Sequence, residues 1–544
     1  MSRRLALQLY GQAILGFFPL GTEVESSDDR MTFMLEQMVA VYHQKNPSYP
    51  EAAPFHPDRK YPEYGFGEFL SEQANMVYDA VREALRLSGL DRGRFGTSEW
   101  NPLGAHVKPG QFVLIKPNWV RVGHPRDPNG GEYTVTQGSV LRAICDYVWI
   151  ALRGSGRVMV ADGPQTDQSF SQIAKQTGMY DVQSFYRNQQ MEMELVDFRQ
   201  EEWENVDEVI VGRKRLPGDP SGNVLFDLGE HSEFEGHHGT GRYYGADYDT
   251  GEVNSHHHSG KHEYLVAGSS IFCDVFINVP KLKTHKKAGV TINLKNLVGV
   301  NADKNFLPHH TVGSPTTGGD QFPSLSLSTR IEHRSAALLR SIALRVPGLG
   351  TRLLRRARKV GKSAFGDNDR VIRSGNWYGN DTIWRMCLDL NKVVLYGQPD
   401  GTLRQNTPAN RKPYLSFVDG FVAGDGTGPL DPDPVEAGLI LFGTNPAVVD
   451  AVAATLMGFD PKKLPIIRNA FEMSHFPLAT DDPSFITSIS NQPELTGLIQ
   501  EIMPTTVLPQ FRPHFGWLGH IERRVSEPTF DDTADNTVLP IVEQ

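Results

Sequence analysis

The chain has 544 residues, of which 39% are hydrophobic and 22% are charged, and its formal net charge is −10. This composition is that of a globular protein long enough for roughly two to four structural units, and the acidic balance argues against a nucleic-acid partner. The three cysteines form no C-x-x-C pair, which argues against a zinc ribbon and a disulfide framework and fits a reducing, cytoplasmic location.

Alternating strands and helices begin after residues 1–105, which we interpret as a leader docked on the core. Short apolar runs predict strands, and segments with apolar residues at helical spacing predict helices. In chain order these are a strand over 111–116, a helix over 139–152, a strand over 157–161, a helix over 169–176, and strands over 193–196 and 275–279. This order predicts an α/β fold, with a mostly parallel sheet core, flanking helices and large insertions.

The core is predicted in two halves, residues 106–300 and 376–475. The first half holds an insertion at about 200–262 that is rich in Gly, Asp and His, and we expect its histidines to lie in exposed loops. A Pro-rich C-terminal arm, residues 476–544, is expected to wrap the body or a partner subunit. The elements predicted in the second half are a helix over 380–395, a strand over 435–442 and a helix over 445–457.

Between the halves, residues 301–375 form a predicted basic helical excursion. Within it, the segment 329–362 interleaves arginines and lysines with leucines and contains a single acid, Glu332. Such a pattern is typical of a region that docks on a membrane surface, a protein partner or a second copy of the chain. It fits equally a region that packs its leucines on the core.

Polar residues stand where the predicted strands end. In an open α/β sheet, ligands bind at the carboxyl ends of the strands, so these residues are expected to surround a single pocket. The residues concerned are Lys116 and Asn118 after the first strand, Asp162 after the second, Lys281 to His285 after a later one, and Asp425 after a run at 416–418.

Cationic and amide side chains at the end of a buried strand are unfavourable unless an anion or a metal meets them. His285 is the candidate general acid or base because imidazole titrates near neutrality, and Lys283 and Asp162 are candidate catalytic partners. Lysine and amide groups suit a phosphate or a carboxylate, so a small anionic ligand is expected. The candidate substrate-binding residues are Lys116, Asn118, Lys281, Thr284, Thr291, Asn293, Lys295, Asn296 and Asp425.

A metal site is the alternative for the same segment. His285, Asp303, His309 and His310 offer imidazole and carboxylate ligands that suit zinc, iron, nickel or manganese. Against a metal, adjacent histidines do not easily turn toward one ion, and the lysines beside His285 repel a cation. A divalent metal is therefore the second candidate after the anion, and the cofactor is otherwise unknown.

The chain contains no Walker, H-E-x-x-H or G-x-S-x-G signature. It resembles the family catalogued as domain of unknown function 362 over about residues 110–475, through the runs IKPNWV, VADGP, DVFINVPKLKTHKKAGVTINLKNLVGV, GNWYGNDTIWR, VDGFVAGDGTGPL and NPAVVDAVAATLMGFDP. Many members of that family carry a cysteine-rich iron–sulfur module. This chain lacks such cysteines, so no built-in iron–sulfur cluster is expected. The order of the strand-end residues is similar, by analogy only, to that of nickel-pincer lactate racemases.

These observations predict an intracellular enzyme that acts on a small phosphorylated or carboxylated substrate, with His285 as acid or base and the lysines as an oxyanion clamp. The reaction type stays open. The alternatives are a non-catalytic binding or scaffold subunit of a larger assembly, and a metal-dependent racemase- or oxidoreductase-like enzyme.

Overall fold

The structure of the protein is a computed structural model that describes residues 36–127, 130–206, 209–245, 249–324, 371–479 and 483–523. The amphipathic segment 329–362 lies outside these residues, as do residues 1–35 of the leader and 524–544 of the C-terminal arm. Within the described ranges, no helix combines the length and the apolar composition that crossing a bilayer requires.

Ten α-helices lie in the described ranges. Side chains cap several of them, among them Ser169 at the start of α3 and Asn445 at the start of α9, which has Pro446 at its first position. The helices are α1 (Met76–Leu87), α2 (Gly138–Leu152), α3 (Phe170–Gln176), α4 (Met179–Asn188), α5 (Thr250–His256), α6 (Gly268–Phe272), α7 (Asn293–Asn296), α8 (Ile383–Tyr396), α9 (Pro446–Leu456) and α10 (Pro465–Phe471).

The described strands are mostly short, and those at the centre of the sheet are apolar on both faces, as burial on both sides requires. They are β1 (Met38–His43), β2 (Phe112–Pro117), β3 (Arg157–Asp162), β4 (Met193–Asp197), β5 (Glu201–Val206), β6 (Val209–Arg215), β7 (Asn223–Asp227), β8 (Tyr243–Tyr244), β9 (His257–His258), β10 (Lys261–Ala267), β11 (Val275–Val279), β12 (Lys281–His285), β13 (Gly289–Thr291), β14 (His310–Thr311), β15 (Tyr414–Thr427), β16 (Asp431–Val435), β17 (Leu439–Gly443), β18 (Thr487–Ser490) and β19 (Gly497–Leu498).

One large sheet organises the protein. Its strand order is β19-β18-β1-β17-β15-β11-β2-β3-β4, and β12, β13 and β16 extend it beside β15. The run from β15 through β11, β2 and β3 to β4 is parallel throughout, whereas β17 is antiparallel to both of its neighbours. The predicted α/β fold with a mostly parallel sheet is confirmed.

Helices cover both faces of the sheet. On one face, α1 packs on β1 and against α2, and their side chains share a core with one side of β2, β3 and β11. On the other face, α7, α8, α9 and α10 pack together over the opposite side of the same strands. The strand ends thus lie between two helical layers, with the KLKTH strand β12 emerging at the carboxyl end of β11.

The predicted insertion contributes small sheets outside this core. Strands β5 and β6 form a hairpin, β7, β10 and β9 form a three-stranded sheet, and β8 pairs with β14. Two of its histidines differ from the expectation of exposed loops: His257 is fully buried and His262 is nearly so, among the rings of Phe234, Tyr243 and Tyr264. They lie inside because these aromatic side chains provide an apolar core for the insertion.

We expect this histidine cluster to make the fold sensitive to acid. Burial lowers the pKa of His257 to about 3 and that of His262 to about 4. Between these pKa values and 6.5, the unfolded chain binds more protons than the folded chain. The stabilisation by the two neutral histidines is therefore complete above pH 6.5 and is lost as the pH falls. Each histidine should remove about 1.4 kcal/mol of unfolding free energy per pH unit in that window. Urea denaturation across this range, on the native protein and His257→Phe, measures the slope, and an equal slope in the variant would contradict the assignment.

Two strands in the second half differ from their prediction. The run at 416–418 does not end before Asp425 but continues through it as β15, because both sides of the strand are occupied: Asp419 pairs with Lys281 of β12 and with Ile440 of β17. The predicted strand over 435–442 is divided into β16 and β17. Gly438 lies between them with φ of +62°, and an added Cβ there would meet the Gln44 carbonyl oxygen at 1.9 Å.

Candidate functional site

The sheet places a row of polar side chains at its carboxyl edge. Lys116 of β2 is in register with Asn278 of β11, which is in register with Ser416 of β15. In-register residues of parallel strands point to the same face, so the three side chains lie side by side under α7, α8 and α9. All three are fully buried. A buried polar row at this level of the sheet marks the region in which the candidate residues meet.

Lys116 and Asp162 form a buried ion pair at the ends of β2 and β3. The Lys116 Nζ lies 2.6 Å from the Asp162 Oδ1, and both side chains are almost fully buried. The second carboxylate oxygen accepts from the backbone N–H of Trp119 at 2.7 Å, and Oδ1 also accepts from that of Gly163 at 2.8 Å. Both carboxylate oxygens thus accept hydrogen bonds, and the shortest contact makes Asp162 the counter-ion of Lys116.

Helix α7 presents Asn296 to this pair. The Asn296 Oδ1 accepts from Lys116 Nζ at 3.3 Å and from Asn118 Nδ2 at 2.8 Å, and its Nδ2 donates to Asn278 Oδ1 at 2.7 Å. The Asn118 Oδ1, by contrast, is buried without a partner in the described part of the chain. Asn118 therefore has an unused acceptor at the edge of the network.

Asp450 of α9 holds the first residues of α7 in place through hydrogen bonds. Its carboxylate accepts from the backbone N–H groups of Asn293 and Leu294, at 2.8 and 3.0 Å, and from the Asn293 side chain at 3.0 Å. Ser416 donates to the Asn293 Oδ1 at 2.7 Å. Burial raises the pKa of Asp450 to about 7, and the N–H donors oppose that shift. The helix that carries Lys295 is thus fastened at its first turn.

Strand β12 directs Lys281, Lys283 and His285 to one face, since alternate residues of a strand share a face. Lys281 is satisfied internally: its Nζ lies 3.2 Å from the Asp419 carboxylate and donates to the Tyr49 hydroxyl at 2.7 Å. Tyr49 in turn donates to Asp419 at 2.6 Å. Lys281 therefore has the environment of a structural ion pair.

Lys283 and Lys295 lack such partners. Lys283 is fully buried, donates to the Thr134 carbonyl oxygen and forms no ion pair with a described carboxylate. Lys295, 9% exposed, makes no hydrogen bond or ion pair anywhere in the described ranges. Burial lowers the pKa of Lys295, and burial together with the charges of Lys281 and Lys295 holds the pKa of Lys283 well below its usual range. Two amines without counter-ions therefore lie in one buried region.

His285 and His309 have opposite hydrogen-bonding roles. The His285 Nδ1 accepts from the backbone N–H groups of Lys287 and Ala288, at 3.0 and 3.1 Å, so the proton is on Nε2. The His309 Nδ1 donates to the Leu307 carbonyl oxygen at 2.8 Å, so its Nε2 carries a lone pair. Burial and the nearby lysine charges hold the pKa of both imidazoles well below their usual range. As a neutral ring, His285 offers a donor and His309 offers an acceptor.

The four predicted metal ligands are not assembled as a set. The Asp303 side chain accepts from the backbone N–H of Asn305 at 2.9 Å, and the His310 Nδ1 lies 3.3 Å from the Lys287 Nζ. Across the described residues, no group of three or more His, Cys, Asp or Glu side chains is placed to hold a metal. Of the four, His285 and His309 both lie near Lys295, whose positive charge disfavours a cation there.

The remaining candidates divide between structure and site. Asp425 is bound by Arg512 of the C-terminal arm at 2.7 Å and fastens that arm to β15. The Thr284 hydroxyl donates to the Gly426 carbonyl oxygen at 3.1 Å. Thr291, paired with Lys283 across β12 and β13, has a buried hydroxyl without a partner in the described part of the chain. Thr291 therefore remains a candidate binding residue beside Lys283.

Lys304 is a buried lysine of the site that sequence reasoning did not select. Its Nζ donates to the carbonyl oxygens of Gly163, Val298 and Asn301, at 3.2 to 3.4 Å. Burial lowers the pKa of Lys304 to about 7, and the Asp162 charge opposes the shift. No local pattern distinguishes it from an exposed lysine, because its partners come from the ends of other elements.

Comparison with known proteins identifies the sequence family. The family model described as "Domain of unknown function (DUF362)" matches residues 113–219 and 236–455. No curated protein matches the chain. A crystal structure of a Thermotoga maritima protein, a structural-genomics target, aligns with 65% of this chain at 10% identity and a TM-score of 0.24. The alignment covers 53% of that protein, so the chain spans about half of its length.

Proposed function

Because the chain belongs to the family described as a domain of unknown function (DUF362), a description that assigns no reaction, we propose its function from the geometry at the carboxyl edge of the sheet. The protein is an enzyme that binds a small phosphorylated or carboxylated substrate there. Lys283 and Lys295 bind the anionic group, and the Nε2–H of His285 donates to an oxygen on which negative charge develops.

The charge imbalance of the site carries this proposal. Four buried lysines belong to this region, Lys116, Lys283, Lys295 and Lys304, and the Asp162 carboxylate is bonded to one of them, Lys116. A buried ammonium without a counter-ion is unfavourable, so such a site releases protons when empty and takes them up when an anion binds. An anionic ligand supplies the missing charge.

The described cysteines favour a cytoplasmic location for this enzyme. Cys145, Cys273 and Cys387 are all free and buried. Unpaired cysteines are expected where cellular thiols are kept reduced. This location also gives access to phosphorylated and carboxylated metabolites.

Anion binding should depend on the two unpaired lysines. We expect Lys295→Ala and Lys283→Ala each to weaken binding of inorganic phosphate, or of the carboxylate lactate, by at least about tenfold, since each removes a charge-assisted contact of about 1.5–3 kcal/mol. Isothermal titration calorimetry in two buffers of different ionisation enthalpy measures affinity and proton uptake together. Uptake should be positive near neutral pH, because burial lowers the pKa of both lysines.

Lys412→Ala is the matched control for these variants. Lys412 is equally buried and donates to the carbonyl oxygens of Ser270 and Ile271, both at 2.7 Å. It precedes β15 and therefore lies at the amino end of that strand, away from the site. Its replacement should leave affinity unchanged. Equal binding by the native protein and both site variants would refute the assignment of the anion site.

A further inference from the structure

Three groups of the site have hydrogen-bonding capacity that the described protein does not use. They are the Lys295 Nζ, the Nε2–H of His285 and the Nε2 lone pair of His309, none of which has a partner in the described ranges. One is an amine, one a proton donor and one a proton acceptor. Together they are the groups that addition of an amine to a carbonyl requires.

Each of the three is held by backbone contacts. Asp450 fixes the first turn of α7 and so positions Lys295. The tight turn after β12 aims two N–H groups at His285 Nδ1, and the Leu307 carbonyl oxygen aligns the ring of His309. These contacts fix which nitrogen of each imidazole is protonated.

We propose that Lys295 is a nucleophile that forms an imine with a small carbonyl compound bearing a carboxylate or a phosphate, such as a 2-oxo acid or a phosphorylated aldehyde. The inference rests on the proposed function and refines it for a carbonyl substrate: Lys283 binds the anionic group, while Lys295, which binds simple anions in its protonated form, reacts with the carbonyl carbon as the neutral amine. It extends that function by naming the reacting group and the substrate class.

Lys295 is the nucleophile because the neighbouring lysines are already engaged. Lys116 is paired with Asp162, Lys281 is paired with Asp419, and Lys304 donates to three carbonyl oxygens. A buried amine with no acceptor and no counter-ion is most stable as neutral –NH2, which is the reactive form. Burial lowers the pKa of Lys295 accordingly.

Imine formation begins with addition of the amine to the carbonyl group. The lone pair of the Lys295 amine attacks the carbonyl carbon, a C–N bond forms, and the carbonyl π electrons move to oxygen, which accepts a hydrogen bond from the His285 Nε2–H. The His309 Nε2 removes one proton from the nitrogen and returns it to that oxygen, giving a neutral carbinolamine. The C–O bond then breaks, and the leaving hydroxyl takes up the remaining N–H proton, carried by His309, so that water and the neutral imine are formed. No oxidant or reductant is consumed.

Reductive trapping tests this proposal directly. The protein is incubated with one carbonyl compound at a time (pyruvate, 2-oxoglutarate or glyceraldehyde 3-phosphate), each together with sodium cyanoborohydride. The adducts are then mapped by peptide mass spectrometry. We expect one reduced adduct, on Lys295, with at least one of the three carbonyl compounds. Acetone, a ketone without an anionic group, should give at least about tenfold less adduct. Lactate, an anion without a ketone or aldehyde group, should compete with the carbonyl compound and lower the yield of adduct.

Two variants of the site, with Lys412→Arg as the control, test the assignment further. Lys295→Arg keeps a long basic side chain at this position but cannot form the imine, so the adduct should disappear, whereas Lys412→Arg should leave it unchanged. His309→Gln should slow trapping by roughly 10²-fold, as expected for loss of a general base. The map of the native protein decides the question even if a variant does not fold.

The failures of the two proposals are distinguishable. If calorimetry shows that lactate and phosphate bind but none of the three carbonyl compounds leaves an adduct on Lys295, the nucleophile is wrong and the anion site stands. An adduct spread over many lysines, unaffected by lactate, would also overturn the assignment. If no anion binds, the proposed function itself fails.

Discussion

Replacing Asp419 with alanine should lower the free energy of unfolding by about 3–5 kcal/mol, because it leaves the charge of Lys281 buried without a partner. Asp419 is fully buried and accepts from Lys281 at 3.2 Å, from the Tyr49 hydroxyl at 2.6 Å and from the backbone N–H of Gln137 at 3.0 Å. The loss removes the only described carboxylate bonded to Lys281. Urea or guanidinium denaturation followed by fluorescence measures the effect.

The exposed ion pairs of Asp433 provide the control for this substitution. Asp433→Ala removes contacts to Arg126 and Arg512 at the surface, at 2.7 and 2.8 Å, and should cost less than about 1 kcal/mol. The double variant Lys281→Met with Asp419→Leu should regain much of the stability lost in Asp419→Ala, because no unpaired charge remains. A double variant as unstable as Asp419→Ala would show that the buried charge is not the cause.

Gly299→Ala should destabilise the protein by about 3 kcal/mol and abolish anion binding. An added Cβ would lie 1.9 Å from the Asp162 Oδ1 and 2.7 Å from the Lys116 Nζ, so it cannot be accommodated while that ion pair is intact. Moving either group disrupts the contacts of Asn296 as well. Chemical denaturation measures stability, and calorimetric titration with phosphate measures the site.

Gly65→Ala is the control for this substitution. An added Cβ at Gly65 has no atom within 4 Å, and the residue is exposed, so stability should change by less than about 0.5 kcal/mol. If Gly299→Ala binds phosphate as the native protein does, the Lys116–Asp162 pair is not required at the site.

The parallel part of the fold was predictable because its signals are local. The apolar runs at 111–116 and 157–161 became β2 and β3 with shifts of one residue, and the capped helix at 445–457 became α9. The full length of β15 was not predictable, because an Asp–Gly pair is typical of a turn. Asp419 remains in the strand because it has pairing partners on both sides. The buried position of His257 likewise depends on aromatic residues brought together by the insertion.

The site was predictable as a group of residue types but not as a set of roles. The spacing of Lys281, Lys283 and His285 places all three on one face, which periodicity alone indicates. Which of them is already paired depends on Asp419, more than a hundred residues away in the chain. The proton on His285 Nε2 follows from the backbone N–H groups of the next turn, which the side-chain pattern does not encode.

The position of β1 in the large sheet has a consequence for biosynthesis. β1 lies between β17 and β18, with Ala40 opposite Phe442 and Met38 opposite Thr487. This strand therefore has no pairing partner in the sheet until about four hundred further residues have been translated. Until then both of its edges are open to pairing with other chains. We expect the α2-flanked strands β2, β3 and β4 to form first, and this late closure to make the newly made chain dependent on chaperones.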